Sequence, residues 1–140
     1  MRRLDRYLDK ANNESYLINK GVRTCALLTV VSHKDDGMDV QELLYKLEQL
    51  ILHHGLNSIP LELQRDEDDD PNARFFEFWI YSYPHQLAVI KAIHDTPRSF
   101  LREWVVGKLL GYSDMSMEEY LSHDVMSGLE VDKRILEKED

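Results

Sequence analysis

Residues 39–55 read DVQELLYKLEQLILHHG, and they predict the clearest element of this chain. Apolar residues recur there at helical spacing and form one continuous stripe. Asp39 with Glu42 three residues later has the form of a capping box, and Gly55 suits the left-handed position that follows a helix. We expect an amphipathic helix between these ends, with the stripe Val40, Leu43, Leu44, Leu47, Leu50 and Ile51.

The sequence before this helix predicts a strand. Residues 25–31 read CALLTVV, are apolar on both faces and end in β-branched residues, which is typical of a central strand covered on both sides. Residues 34–37, KDDG, predict a turn between this strand and the helix. A helix that joins two strands of one sheet forms a crossover. We therefore expect the first strand to run parallel to the second or the third, with a right-handed connection.

Two strands are predicted after the helix. Residues 59–63 alternate apolar side chains with others, and Pro60, which has no N–H to donate, puts this strand at an edge or marks its start. Residues 74–83 read RFFEFWIYSY and predict its antiparallel partner, joined to it by the acidic loop 66–72. Alternation gives the partner two faces, one with Phe76, Phe78 and Ile80 and the other with Phe75, Glu77, Trp79 and Tyr81.

Further helices are predicted before and after these strands in the sequence. Residues 1–20 form a basic N-terminal helical segment, with a break or a second start at residues 12–14. Pro84 starts a helix, Thr96 caps the next one, and a short helix follows at residues 113–121.

The predicted fold class is α+β, a mixed α/β chain with a small sheet of three or four strands, one crossover helix and a C-terminal helical cluster. Residues 129–136 fit either a last strand or a helix, and residues 137–140 read as a frayed tail. With a last strand, the order resembles a ferredoxin-like βαββαβ sandwich with extra helices, an arrangement that hosts many unrelated functions. The length of 140 residues fits a single domain over residues 1–140.

Charge is divided unevenly along the chain, whose net charge is −9. Residues 1–24 hold six Lys or Arg and three Asp or Glu, a net charge of +3, so the rest carries −12. Proteins that bind nucleic acid gain most of their affinity by neutralising phosphates. The acidic balance therefore argues against nucleic acid as a partner, and it favours basic partners or a surface that imitates a polyanion.

Cysteine content and hydropathy predict a soluble, cytoplasmic protein that does not enter a membrane. Cys25 is the one cysteine, so no intrachain disulfide can form. The basic start is not followed by the apolar core of a signal peptide, and no stretch approaches the ~18 apolar residues of a membrane helix. As a nucleophile Cys25 would need an electropositive, partly exposed setting, whereas its apolar strand predicts a buried, inert thiol.

Two polar groups are candidate sites. The acidic loop has Asp66, Glu67, Asp68, Asp69 and Asp70, and its acids fit positions of a calcium loop, but a proline stands where that loop needs glycine. We therefore predict a solvated loop and no metal site.

The second group lies at the end of the first strand. His33 ends this strand, and ligands gather beyond the carboxyl ends of strands in α/β sheets. His33 with Asp35 and Asp36 is thus the candidate ligand-binding group, and a plain turn is the alternative interpretation.

The motifs of common enzyme classes are missing: the sequence has no GxSxG, P-loop, GxGxxG, HExxH or CxxC. We predict no catalytic residue and no cofactor. A helix-turn-helix with its turn at Gly111 is rejected, because residues 113–121 carry three acids and no base and would repel phosphate.

The aromatic face of the third strand suggests a contact surface. Phe75, Trp79, Tyr81 and Tyr83 share that face, and if no helix covers it they form a patch typical of interfaces. With the acidic loop, this predicts a small acidic, non-enzymatic regulatory or inhibitory protein that acts through protein–protein contacts, a homodimer in the simplest case. Two alternatives stay open: a small-molecule or metal-ion sensing domain with its ligand near His33, and an enzyme without a recognisable motif.

Overall fold

A computed structural model describes residues 2–121 of the chain. These residues form five helices and three strands, which confirms the α+β fold class. The elements are α1 (Arg3–Asn19), β1 (Cys25–His33), a 3₁₀ turn (Lys34–Asp36), α2 (Val40–His53), β2 (Asn57–Glu62), β3 (Ala73–Tyr81), α3 (Pro84–Asp95), α4 (Phe100–Leu109) and α5 (Asp114–Tyr120). The predictions for residues 129–136 and 137–140 lie outside the described residues.

The chain divides into two compact units, one up to residue 87 and the other from residue 88 onward. The boundary falls within α3. The first unit holds the sheet with α1 and α2, and the second holds α4 and α5.

The sheet has the strand order β1-β3-β2, with β3 in the middle. β1 pairs antiparallel with β3 from Cys25 opposite Tyr81 to His33 opposite Ala73. β2 pairs antiparallel with the other edge of β3. Since both outer strands oppose β3, β1 and β2 run parallel to each other and α2 is the crossover between them, a split βαβ unit. The predicted parallel pair and the predicted β2–β3 hairpin are confirmed.

β1 lies at an edge of the described sheet, so the prediction that it is the central strand is wrong. The short-range hairpin keeps β2 beside β3, and β1 can then join only on the outside of this pair. Its second face also differs from a doubly covered strand, because Leu27 and Val31 are half-buried and Thr29 is exposed. A run of residues that are apolar on both faces indicates burial, but it does not show which strands pair with it.

The free edge of β1 is partly covered by α1. Val31 N donates to the hydroxyl of Tyr7 at 2.9 Å, so the backbone polar groups of Val31 point away from β3. Val31 O accepts from the Tyr7 hydroxyl and from Arg3 Nη1, both at 3.4 Å. α1 thereby satisfies edge groups that would otherwise need water.

The core of the first unit lies between one face of the sheet and the helices α1 and α2. Side chains of the same parity on β1 and β3 meet the apolar stripes of both helices, as the alternation in each strand requires. Burying each large side chain contributes about 1.5–3 kcal/mol. The buried residues are Leu4, Ala11, Ile18, Ala26, Leu28, Val30, Leu43, Leu47, Ile51, Leu56, Phe76, Phe78 and Ile80.

α1 is one continuous helix of 17 residues, so the break expected at residues 12–14 is wrong. Asn12 and Asn13 are exposed, whereas Ala11 and Ser15 on the same turns are buried. Packing of the buried face therefore outweighs the weak helix propensity of the two asparagines.

The ends of α2 match the prediction in one respect and differ in another. Asp39 is the N-cap residue, but its side chain makes no capping hydrogen bond, so the predicted capping box is wrong. Gly55 has φ +77°, which confirms the left-handed residue after the helix.

α4 begins later than the sequence predicts. Ser99 caps it by accepting a hydrogen bond from Arg102 N, whereas Thr96 donates its hydroxyl to Ala92 O at 2.7 Å, at the end of α3. The threonine therefore closes one helix and does not open the next.

α4 and α5 form the small core of the second unit, as the predicted helical hairpin requires. Met117 and Leu121 are buried against Phe100 and Trp104. No helix in the described part of the chain is long and apolar enough to cross a membrane.

Two leucines of α2 provide a matched test of this core. Leu47 is fully buried and Leu52 is 49% exposed. We expect Leu47→Ala to lower the free energy of unfolding by about 2–5 kcal/mol, because it leaves a cavity under the sheet. Leu52→Ala in the same helix should change it by less than about 1 kcal/mol. Urea denaturation measures both, and equal losses would contradict this packing.

Candidate functional site

A surface cleft of about 560 Å³ lies at the carboxyl end of β1 and is called the β1 cleft here. This volume is within the range of small-molecule sites. The end of β1, the turn after it, the start of α2 and the loop between β2 and β3 all contribute walls. The lining residues are Ser32, His33, Lys34, Gly37, Met38, Asp39, Val40, Arg65, Pro71, Asn72 and Arg74.

His33 organises the turn that forms one wall of the cleft. Its Nδ1 accepts a hydrogen bond from Asp35 N at 3.0 Å, and its backbone N–H donates to Asp36 Oδ2 at 3.0 Å. Gly37 then reverses the chain with φ +72°, a conformation that favours glycine. The structure thus brings together the three residues predicted as a ligand-binding group.

The same imidazole joins the turn to the acidic loop. His33 Nε2 lies 2.8 Å from Asp70 Oδ2. Because Nδ1 accepts from a backbone amide, the proton of the neutral ring is on Nε2, which donates to Asp70. The 3.5 Å approach of Nδ1 to the Asp35 carboxylate is then not an ion pair, since that nitrogen carries no proton.

Asp70 is the carboxylate that this arrangement affects most. Its Oδ1 accepts from Asn72 N at 2.8 Å. This amide, and next the hydrogen bond from His33, hold the pKa of Asp70 below its ordinary value of 3.8. The carboxylate is therefore part of the loop's own hydrogen bonding.

The other acidic side chains of this loop either accept hydrogen bonds within the loop or are exposed to solvent. Asp69 Oδ2 accepts from Asp66 N at 2.7 Å, while Glu67 and Asp68 are exposed. Among residues 2–121, no three His, Cys, Asp or Glu side chains converge into a group that could hold a metal ion.

Basic side chains line the β1 cleft, and sequence reasoning missed them. Arg74 forms a two-point contact with Glu62, at 2.9 and 2.6 Å, and this contact raises the arginine's pKa. Arg65 Nη1 donates to Pro71 O at 2.6 Å. Arg65 and Arg74 flank the acidic run on either side, and that flanking is the signal the sequence offered.

A smaller cleft of about 180 Å³ adjoins the first and shares Ser32, Gly37 and Met38 with it. Arg3 lines this second cleft and pairs with Asp36 at 3.4 Å. Asp36 is thus engaged by the turn and by α1. It does not line the β1 cleft.

The aromatic face of β3 is not one exposed patch. Trp79 is 1% exposed and Tyr81 is 8% exposed, and burial raises the pKa of Tyr81. Phe75 is half-buried, whereas Tyr83 is 61% exposed and stacks on His85. Of the four predicted contact residues, only Tyr83 offers most of its surface to a partner.

No protein-family model, curated protein or solved structure matches this chain.

Cys25 is fully buried, as predicted. Burial raises the pKa of its thiol to about 11, so the nucleophilic thiolate is scarce near neutral pH. We expect a disulfide reagent at pH 8 to label the native protein far more slowly than the protein unfolded in urea. Equally fast labelling of both forms would place this thiol at the surface.

The hydrogen bonds to Asp70 give a pH prediction. A carboxyl whose pKa is lowered in the folded state stabilises the fold above its ordinary pKa, and this contribution is lost as pH falls through the folded value. We expect an NMR titration to place the Asp70 pKa below 3.8. His33→Gln should raise it only in part, because the Asn72 amide remains. A value at or above 3.8 in the native protein would contradict the observed geometry.

Proposed function

We propose that this protein is a small-molecule-binding domain whose ligand occupies the β1 cleft. The observation that carries the proposal is the cleft itself, which collects polar groups from four segments of the first unit at one end of the sheet. Polar groups that converge beside apolar walls are the usual mark of a ligand site. Met38, Val40 and Pro71 supply the apolar part of this lining.

The His33 hydrogen bonds suit a sensing role. This side chain contacts the turn on one side of the cleft and Asp70 of the loop on the other. A ligand in the cleft touches both segments and favours the conformation in which they are joined. Ligand binding and loop order are then linked, as a ligand-dependent switch requires.

Protein–protein contact through the aromatic face has less support. Trp79 and Tyr81 are buried, so they cannot contribute the large exposed anchors that such interfaces need. Regulation of a partner would instead follow from ligand occupancy of the β1 cleft.

A ligand screen with a blocked variant tests the proposal. Asn72 is exposed and its side chain makes no hydrogen bond to any described residue, so Asn72→Trp should fill the cleft and leave the fold intact. Asn13→Trp places the same bulk on the exposed side of α1 as a control. A ligand at 100 times its Kd should stabilise the native protein by about 2.7 kcal/mol in thermal unfolding.

We expect at least one compound of a panel of nucleotides, amino acids, sugar phosphates and organic acids to stabilise the native chain and the Asn13→Trp control. The same compound should not stabilise Asn72→Trp, and it should shift backbone amides of the cleft in NMR spectra. A panel without hits, or hits that Asn72→Trp retains, would refute a ligand site in the β1 cleft.

A further inference from the structure

The outer edge of β1 has backbone groups that the described sheet does not use. The N–H and C=O groups of successive residues in a strand point to opposite edges. Val31 N donates to the Tyr7 hydroxyl, away from β3. Leu27 and Thr29 have the same parity as Val31, so their N–H and C=O groups also point outward.

These outward groups are open to a second strand. Those of Leu27 and Thr29 have no hydrogen-bond partner among residues 2–121. Thr29 is exposed and Leu27 is half-buried, so another chain can reach them. The open stretch is limited at both ends, because Cys25 is fully buried and α1 already binds both backbone groups of Val31. It therefore spans residues 26–30.

β1 has none of the features with which proteins prevent pairing at a sheet edge. Those features are proline, charged side chains and bulges. Residues 25–33 read CALLTVVSH and contain no proline and no Asp, Glu, Lys or Arg. The register with β3 continues along the whole of β1 without a bulge. Residues 29–31 are β-branched and suit a strand. Nothing in this stretch opposes a further strand.

β2, at the opposite edge of the described sheet, does have such features. Leu63 N donates to Phe75 O at 2.8 Å, just beyond the end of β2. The odd-numbered residues of β2 therefore bond to β3, and the backbone groups of Ser58, Pro60 and Glu62 point outward. Pro60 has no N–H to donate, and Glu62 is an exposed acid. Of the two outer edges of the described sheet, β1 is thus the one that can pair.

We infer that β1 pairs with β1 of a second copy of this chain, antiparallel and about a twofold axis at Leu28. Leu27 of one protomer then lies opposite Thr29 of its partner, and each such pair exchanges two N–H···O bonds. The pairing uses the open groups and ends where α1 covers Val31. Because the open stretch is complementary to itself and β2 is blocked, the assembly closes as a dimer. The inference goes beyond the proposed function and does not depend on it.

Sedimentation and amide hydrogen exchange of the full chain test this pairing. We expect the mass of two chains at high concentration and of one chain on dilution, because so short an interface belongs to the weak class. The amides of Leu27 and Thr29 should exchange slowly in the dimer and rapidly after dilution, since these donors have no other described partner.

Two substitutions at Thr29 block the edge in different ways. Thr29→Lys places like charges at diagonal positions of the two protomers and should weaken the dimer at least about tenfold. Thr29→Pro removes an outward donor, keeps the bonds between β1 and β3, and should weaken the dimer by at least about tenfold too. Pro60 shows that an outer strand of this sheet accepts a proline at an outward position. Gln49→Lys adds the same charge at an exposed position of α2 and should leave the dimer unchanged.

Several results would overturn the inference. A chain that stays monomeric at all concentrations does not pair through β1. A dimer that Thr29→Lys weakens no more than Gln49→Lys does has its contact elsewhere. Assemblies that grow beyond two chains would contradict a closed pair. Slow exchange of the Leu27 and Thr29 amides in a monomer would mean that the same chain covers this edge. If Thr29→Pro does not fold, Thr29→Lys decides, because it alters no backbone group.

Discussion

The structure of the first unit depends on burial of one face of β3. Phe76, Phe78 and Ile80 need an apolar cover, and the α2 stripe of Leu43, Leu47 and Ile51 supplies it together with α1. Hydrophobic burial of this size is the dominant favourable term in folding. Because the crossover helix must lie over the sheet, the positions of its ends follow from the same requirement.

The β1 cleft is a consequence of this arrangement. α2 begins shortly after β1 ends, so the first turn of the helix lies at the carboxyl end of that strand. The antiparallel register places Ala73, the first residue of β3, opposite His33, the last residue of β1. The β2–β3 loop therefore lies at the same end of the sheet. Arg65 of this loop lines the β1 cleft together with the end of β1 and the start of α2.

The sequence was sufficient for features that local patterns encode. The α2 stripe, the parity of β3, the edge position of Pro60 and the left-handed Gly55 could all be predicted, because each depends on residues close in sequence. The edge position of β1 could not, since it depends on which strands pair. Arg65 was missed for a similar reason: its acidic neighbours dominate the local composition, and only the pairing of the strands places it in the same cleft lining as His33.

The bonds that α1 makes to Val31 have a consequence for assembly. An outer strand with free N–H and C=O groups can pair with a strand of another molecule, which is how many sheet proteins polymerise. Tyr7 and Arg3 already bind the outward groups of Val31, near the carboxyl end of β1. An incoming strand would have to displace both side chains there. α1, which completes the core, thus also hinders the pairing of β1 with a strand of another molecule beside the β1 cleft.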